Sequence, residues 1–413
     1  MQREKLFNRD FTLVLIGQVI SLFGNAILRF ALPLHLLRET GSAALFGTVS
    51  AAAVLPMILC SLGGGVLADR VNKRNIMVGL DSGTAVLILA FYLLQGQVPL
   101  VPLMVVCLML LYGISGTYEP AVQASIPALV EADQLTSANA VINVVYTLSG
   151  LLGPVIGGVL FGTWGLAPIL LLSIACFAFS AAMEVFIHIP YEKLPSADSL
   201  AAMVKSDVRD SYLYIKEEKP VFLSVIFVLA MFGMVLSSAM IVGIPVIVVN
   251  ILGMSDAQMG MTEGAMGLGG LVGGVLAGVL GERLKLRHGY VILLLCSGSA
   301  ACMGLSLLPV FPAFISYLLI TFLSFFTMVV STQFSVLLLA EVQRQTPMQL
   351  IGKITAFLMA MANCALPLGQ AVYGALFGSC AETPWLILFG SAAVSLGVSL
   401  YSKKVFAELE QCM

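Results

Sequence analysis

Charge is scarce in this chain. Only 10% of the 413 residues are Asp, Glu, Lys or Arg, whereas soluble domains carry about 25%. The shortage runs along the whole chain, and 59% of the residues are hydrophobic, so too few ionic side chains remain to cover a water-soluble globule. The composition therefore excludes a soluble enzyme and predicts a polytopic membrane protein. Because 22 acidic residues outnumber 20 basic ones, a nucleic-acid-binding surface is excluded as well.

Residues that bind metals or cofactors are also scarce. The three histidines, His35, His188 and His288, fall near the ends of apolar runs and form no ligand cluster, so we expect no metal site. The eight cysteines lack the short paired spacings of a zinc site or a disulfide framework. No Walker-type phosphate-binding loop occurs, which excludes ATP as the energy source within this chain. No nucleophile–base set of a membrane hydrolase is readable either, so we expect no enzyme activity and no cofactor.

Apolar runs long enough to cross a bilayer as helices dominate what is present, since about 20 residues suffice for one crossing. There are twelve such runs, near residues 11–37, 43–68, 75–95, 99–125, 138–163, 165–189, 221–250, 257–281, 289–308, 310–340, 350–378 and 384–402. The sequence therefore predicts an all-α integral membrane protein with twelve transmembrane helices.

The basic residues predict the orientation of these helices. An even number of crossings puts both termini on one side. If that side is the cytoplasm, 18 of the 20 basic residues lie on the inner side, while Arg38 falls in an outer loop and Arg29 lies within a span. We therefore expect a multi-pass protein of the plasma membrane, specifically a bacterial inner membrane, with both termini cytoplasmic.

The longest polar stretch divides the helices six plus six. We expect an N-terminal six-helix bundle over residues 1–189, a cytoplasmic linker over 190–219, and a C-terminal six-helix bundle over 220–413. Apolar residues recur in the linker near helical spacing, at Leu200, Met203, Val204, Val208 and Leu213. This spacing fits an amphipathic helix on the inner membrane surface, and a solvated tether between the bundles is an equally good interpretation.

The two halves repeat weakly. Gly65, followed after three residues by Asp69 and Arg70, recurs 213 positions later as Gly278, Glu282 and Arg283. In the fifth predicted helix, Gly153 and Gly158 recur 216 positions later, in the eleventh, as Gly369 and Gly374. Two pseudo-symmetric bundles of this kind enclose a site near the middle of the membrane and rock around it, which makes a transporter the expected function.

The most specific segment lies between the second and third predicted helices. It resembles motif A of the major facilitator superfamily, in which a glycine precedes an acid and a cationic turn. The matching residues are Gly65, Asp69, Arg70, Lys73 and Arg74. Asn72 stands at the usual glycine position of the turn, and Asn tolerates the left-handed conformation that a glycine adopts there. Asp69 is expected to meet the positive N-terminal end of helix 11 near Gly352, while the cations face anionic lipid headgroups.

A second segment resembles motif C, the element associated with exporters of that superfamily. The matching residues are Gly153, Pro154, Gly157 and Gly158. Small residues let helices approach closely and proline bends a helix, so we expect these residues at the interface between the halves. Ordinary packing of small residues is the alternative interpretation.

Further segments, at 29–43, 120–140 and 345–357, look like the superfamily branch that contains macrolide and enterobactin exporters. The resemblance covers most of both halves. It implies a twelve-helix drug or siderophore efflux pump, usually driven by proton antiport, but it does not fix the substrate.

Ionisable residues inside the spans are the next candidates, because a charge within the bilayer costs at least about 2.5 kcal/mol. Arg29 and Glu119 lie mid-span, where an ion pair and a place in the cavity wall are equally good interpretations. Glu184 is expected to reach the headgroups, and Asp81 to buttress the motif A cluster rather than touch substrate. Glu263 has no in-span cation in its own half, so we expect it to carry the coupled proton, with Glu119 as the alternative.

Polar residues in otherwise apolar helices are expected to line a cavity. They are Gln18, Asn25, Tyr118, Gln123, Asn143, Tyr146, Asn363 and Gln370. The sequence thus predicts a monomeric exporter that moves a hydrophobic or amphipathic small molecule outward in exchange for protons, with membrane lipid around it. An importer of a small metabolite and a lipid or lysophospholipid flippase remain alternatives with the same fold.

Overall fold

The computed structural model describes residues 6–189, 200–280, 289–348 and 350–411. Within these residues, twelve helices are long and apolar enough to cross a membrane, which confirms the predicted number and the all-α class. The first six are α1 (Arg9–Thr40), α2 (Ala43–Arg70), α3 (Lys73–Leu94), α4 (Leu100–Ser125), α5 (Leu135–Trp164) and α6 (Leu166–Glu184). The last six are α7 (Val221–Ile251), α8 (Asp256–Leu280), α9 (Gly289–Ser306), α10 (Ala313–Gln345), α11 (Ile351–Ser379) and α12 (Pro384–Gln411).

The connections between the early helices are short because glycine and asparagine shape them. Gly41, between α1 and α2, has a φ of 61°, and Gly165, between α5 and α6, has a φ of 73°. A residue with a Cβ rarely adopts either value. Asn72, however, has a φ of −56° and uses its side chain to accept a hydrogen bond from the backbone N–H of Arg74 at 3.0 Å. It therefore caps α3, and no left-handed residue is needed at this turn.

Two of the later helices are irregular. In α7, segments of π-helix at Gly233–Ser237 and Val246–Ile251 flank a short α-helix. α11 is interrupted between Asn363 and Leu366, and Pro367 explains the break because proline cannot donate to the preceding turn. These irregularities meet, since a Cβ on Gly369 of α11 would clash with the backbone oxygen of Met234 in the first π segment.

The helices form two compact units. The N-terminal unit comprises Met1–Leu36 and Ala52–Val204, and the C-terminal unit comprises Leu37–Ala51 and Lys205–Met413. The end of α1 and the start of α2 thus group with the later helices. In the N-terminal unit α3 packs against α4 and α6, and α5 packs against α6.

The C-terminal unit repeats this arrangement, with α9 against α10 and α12, and α11 against α12. In addition, α8 packs against α10. A linker helix, Leu200–Glu217, precedes α7. Its residues Tyr214 and Ile215 are buried in the same apolar cluster as Val221 of α7 and Phe406 of α12. The linker therefore contains the helix that the apolar spacing suggested, and the C-terminal end of that helix is packed on protein.

Candidate functional site

A cleft with about 360 Å³ of empty space, which includes its opening to solvent, lies among four helices of the N-terminal unit. Its apolar lining comes from Leu22, Leu111, Ile114 and Phe177. Its polar lining comes from Ser21, Asn25, Asp81, Thr84, Ser115, Tyr118 and Glu119. Pockets that combine apolar side chains with convergent polar groups bind small molecules.

The cleft borders a buried network of hydrogen bonds that starts at Asp81. The Ser21 hydroxyl of α1 lies 2.5 Å from Asp81 Oδ2 on α3 and 2.8 Å from the Ser180 hydroxyl on α6. The Ser180 hydroxyl in turn donates to the carbonyl oxygen of Gly17 at 3.2 Å. Asp81 is only 2% exposed. The expectation that Asp81 supports the motif A cluster is therefore wrong, because its carboxylate points into the unit, where it links three helices and lines the cleft.

A second branch of the network ends at Glu184. Gln18 Nε2 donates to the Tyr118 hydroxyl at 2.7 Å, and that hydroxyl donates to Glu184 Oε1 at 2.8 Å. Glu184 is 0% exposed, so the prediction that it reaches the headgroups is wrong. Its second oxygen, Oε2, is buried and has no hydrogen-bond partner within the described ranges.

Arg29 and Glu119 do not form an ion pair within 4 Å in the structure. The guanidinium of Arg29 stacks 4.0 Å above the ring of Tyr112 on α4. Glu119 is an exposed residue that lines the cleft. Cation–π stacking supports the partly buried guanidinium of Arg29, and the carboxylate of Glu119, which has no ion pair within 4 Å, lines the cleft.

The other predicted lining residues divide between the cleft and the protein interior. Asn25 Nδ2 donates to Ser115 at 2.9 Å, and Asn25 Oδ1 is buried without a partner in the described part of the chain. The Tyr146 hydroxyl is likewise buried and unpaired among the described residues, but it does not line the cleft. Gln123, Asn143 and Asn363 are exposed and lie outside the cleft.

Motif A brackets the connection between α2 and α3. Gly65, Asp69 and Arg70 belong to the last turns of α2, and Lys73 and Arg74 open α3. The side chain of Asp69 lies outside what the structure describes, as do Glu282 and Arg283. The gating role of these residues therefore stays a prediction.

The glycines of the motif C segment pack inside the N-terminal unit. A Cβ on Gly153 would clash with Ala26 of α1, and one on Gly157 would lie 3.1 Å from the Phe30 ring of α1. These two glycines therefore let α5 approach α1 of the same unit. Pro154 lies within α5, and Gly158 is buried.

Comparison with known proteins identifies the family. The model of the Major Facilitator Superfamily matches residues 14–370. The chain belongs to this superfamily. It is 24% identical over 411 residues to macrolide efflux protein A of Streptococcus pyogenes, covering 96% of both chains. It is 25% identical to the enterobactin exporter EntS of Citrobacter koseri over 386 residues, covering 89% of this chain and 85% of that protein. Both matches confirm the branch that the sequence resembles.

Solved structures of other transporters share the fold. A peptide transporter, POT, in complex with sulfate has a TM-score of 0.75 at 13% identity, covering 100% of this chain and 97% of that one. The nucleoside transporter NupG has a TM-score of 0.75 at 12% identity, covering 96% of this chain and 99% of that one. The protein is therefore a multi-pass membrane transporter with the major facilitator fold.

The C-terminal unit of this major facilitator protein has a less polar pocket. That pocket measures about 280 Å³, and Thr327 is its one polar side chain among seven apolar residues. Glu263 of α8, the predicted proton site, is partly buried and makes no hydrogen bond or ion pair with the residues that the structure describes. It does not line this pocket.

The sequence analysis missed the serines of the network. Their signal is polar residues three or four positions apart in otherwise apolar helices, which places them on one helix face. Around the cleft, this spacing occurs at Gln18, Ser21 and Asn25, at Asp81 and Thr84, at Ser115 and Tyr118, and at Ser180 and Glu184.

Proposed function

We propose that this transporter is a secondary active exporter that moves a hydrophobic or amphipathic, drug-like or natural-product compound out of the cell in exchange for protons. The observation that carries the proposal is the cleft of the N-terminal unit. Carboxylates and hydroxyls converge there within an apolar wall, which suits a guest that is mainly apolar and carries a few polar groups.

The direction of transport is proposed from the relatives. Their names describe efflux of macrolides and export of enterobactin, and both relatives align with most of the chain. Macrolides are therefore the first compounds to test. The motif C resemblance supports the same direction, and the cytoplasmic position of both termini is proposed from the distribution of basic residues.

Proton coupling is proposed from the energy sources that the chain offers. It contains no Walker-type loop, which excludes ATP drive within this chain, and we propose that an ion gradient supplies the work. Acids inside membrane spans are the groups that bind and release protons in such transporters. The described part of the N-terminal unit has three of them around one cleft, at Asp81, Glu119 and Glu184.

Reconstitution tests the proposal. Purified protein in liposomes should drive a labelled macrolide across the membrane when a pH gradient is imposed, and collapse of the gradient should stop it. Asn25→Leu, which places an apolar side chain in the cleft, should lower the rate, whereas Asn139→Leu should not. Asn139 is an exposed residue on α5 that only bonds to its own helix backbone.

Other outcomes discriminate among the alternatives. Accumulation in the opposite direction would identify an importer, and movement of labelled phospholipid without any drug movement would identify a flippase. Comparing a panel of labelled compounds in cells with and without the protein then narrows the substrate class.

A further inference from the structure

Two buried carboxylates in the N-terminal unit have no cationic partner. No Lys, Arg or His of the described ranges forms an ion pair with Asp81 or Glu184. An ionised carboxylate removed from water without a counter-charge costs several kcal/mol, so a buried acid in this position is normally neutral. The pair therefore holds at least one proton in the conformation that the structure shows.

The hydroxyl groups around Asp81 indicate where one proton sits. Three contacts lie in a row, from Asp81 to Ser21, from Ser21 to Ser180, and from Ser180 to the carbonyl oxygen of Gly17. Each contact needs one hydrogen, and each serine supplies only one. A protonated Asp81 can supply the third hydrogen, which the carbonyl oxygen cannot, whereas an ionised Asp81 leaves one of the three contacts without a hydrogen. A protonated Asp81 that donates to Ser21 satisfies all three contacts.

Loss of this proton would change the helix contacts. Ser21 would then turn its single hydrogen to the Asp81 carboxylate, and the contact between Ser21 and Ser180 would have no hydrogen unless Ser180 released Gly17. Ser21, Asp81 and Ser180 lie on α1, α3 and α6. The protonation state of Asp81 thus selects between two hydrogen-bonding arrangements of three helices, which is what coupling to a conformational change requires.

The two acids differ in their access to the cleft. Asp81, Ser21 and Tyr118 line it, whereas Glu184 lies behind Tyr118, whose hydroxyl donates to it. The mid-span titratable or charged groups on the helices around Asp81 are Cys107, Tyr112, Tyr118 and Glu119 on α4, Cys176 and Glu184 on α6, and Arg29 on α1. Arg29 is the cation of that mid-span set, and it stacks on Tyr112. The other basic residues of α1 and α3 lie in the first or last two turns of these helices, at Arg9, His35, Arg38, Lys73 and Arg74.

We infer that Asp81 and Glu184 together form the proton-carrying site of this transporter. Asp81 exchanges its proton with the cleft, and Glu184 is the second acid of the site, behind Tyr118. Substrate entering the cleft meets Asp81 directly, and the proton leaves to water in the cleft as the carboxylate forms. This inference rests on the proposed proton antiport, and it assigns the coupling to the N-terminal unit rather than to Glu263.

Transport measurements test the assignment. In liposomes, Asp81→Asn and Glu184→Gln should each lower pH-gradient-driven efflux by about tenfold or more, because a neutral amide cannot carry the proton. Exchange of labelled for unlabelled substrate, which needs no net proton movement, should persist in both variants. Glu131→Gln, at an exposed acid in the segment before α5, is the matched control and should keep gradient-driven efflux. Glu263→Gln removes the acid of the C-terminal unit and should keep it as well.

Infrared difference spectroscopy gives a readout that does not depend on transport. The wild-type protein in lipid nanodiscs should show the C=O band of a protonated carboxylic acid, and Asp81→Asn should remove the component of this band that belongs to Asp81, while any component from Glu184 stays. Ser21→Ala keeps the acid but removes its partner, so it should change the pH at which the band titrates. This variant also serves if Asp81→Asn does not fold.

The outcomes separate the two proposals. If the wild type ignores the pH gradient, the antiport proposal fails, and the band still reports whether Asp81 is protonated. If the wild type responds and Asp81→Asn and Glu184→Gln respond equally, the coupling site lies elsewhere. Loss of coupling in Glu263→Gln alone would assign the proton-coupling site to Glu263 in the C-terminal unit.

Discussion

Arg38 Nε lies 2.8 Å from Asp256 Oδ1, and the same guanidinium donates to the carbonyl oxygen of Met254 at 2.9 Å. These contacts fasten the end of α1 to the start of α8. Asn250 adds a third, since its Nδ2 donates to the carbonyl oxygen of Gly41 at 3.2 Å. The predicted orientation places this cluster on the outer side of the membrane, so we interpret it as a latch that holds residues 37–51 on the C-terminal helices.

Charge reversal tests the latch. Arg38→Asp places two carboxylates together, and we expect initial transport rates to change by about fivefold, equivalent to roughly 1 kcal/mol for a partly exposed pair. The double variant Arg38→Asp with Asp256→Arg should restore the rate because the attraction returns with its sign exchanged. Failure of the swap to recover any activity while both variants stay folded would mean that the pair does not act as a latch.

Close packing of Gly47 against Gly374 also holds residues 37–51 on the C-terminal helices. A Cβ on Gly374 would lie 2.9 Å from the Cα of Gly47 and 2.9 Å from the carbonyl oxygen of Ala43. Gly374→Ala should therefore destabilise the protein by about 1–3 kcal/mol, because backbone atoms have to move. Gly390→Ala is the matched control, since nothing lies within 4 Å of its Cβ position. Thermal unfolding in detergent measures both, and equal melting temperatures would contradict the packing.

The linker helix offers a test of its docking. Ile215 is fully buried in the C-terminal cluster, whereas Val208 is 39% exposed on the same helix. Ile215→Ala should cost about 2–5 kcal/mol, as truncation of a core side chain does, and Val208→Ala should cost little. Limited proteolysis across residues 190–219 measures whether the linker helix stays docked, because an undocked helix is cleaved faster. Equal resistance of the two variants would show that this helix is a tether rather than part of the C-terminal unit.

Hydropathy and charge were sufficient to predict the twelve helices, because lipid leaves the backbone few alternatives to a helix. The same reasoning failed for Asp81 and Glu184. Position along a span indicates depth in the membrane, but it does not indicate which neighbouring helix a side chain faces. Asp81 lies within two turns of the basic motif A residues, yet its partner is Ser21, 60 positions away on α1. Such pairings depend on how the helices pack, which a single sequence does not contain.

The same limit affected the motif C segment, where the sequence predicted close approach but placed the partner in the other half, which is wrong for Gly153 and Gly157. Gly153 and Gly157 face α1, whereas Gly158, which the repeat pairs with Gly374, remains the residue for which contact between the halves is predicted. Gly158→Leu should abolish efflux while leaving membrane insertion intact. Gly150→Leu is the control, because the Cβ position of Gly150 has nothing within 4 Å. Normal efflux by Gly158→Leu would show that this face of α5 tolerates bulk.

The gating role of Asp69 is the last prediction. The motif A resemblance predicts that this acid meets the N-terminal end of α11, and a carboxylate near a helix N-terminus is stabilising by typically about 0.3–1 kcal/mol. Asp69→Asn keeps the shape but loses the charge, so transport should fall by about twofold to fivefold with no change in melting temperature. Asp133→Asn is the control, an exposed acid in the loop before α5 on the same predicted side. A wild-type rate for purified Asp69→Asn under a saturating gradient would remove the gate assignment, and a lowered melting temperature would show that Asp69 stabilises the fold instead.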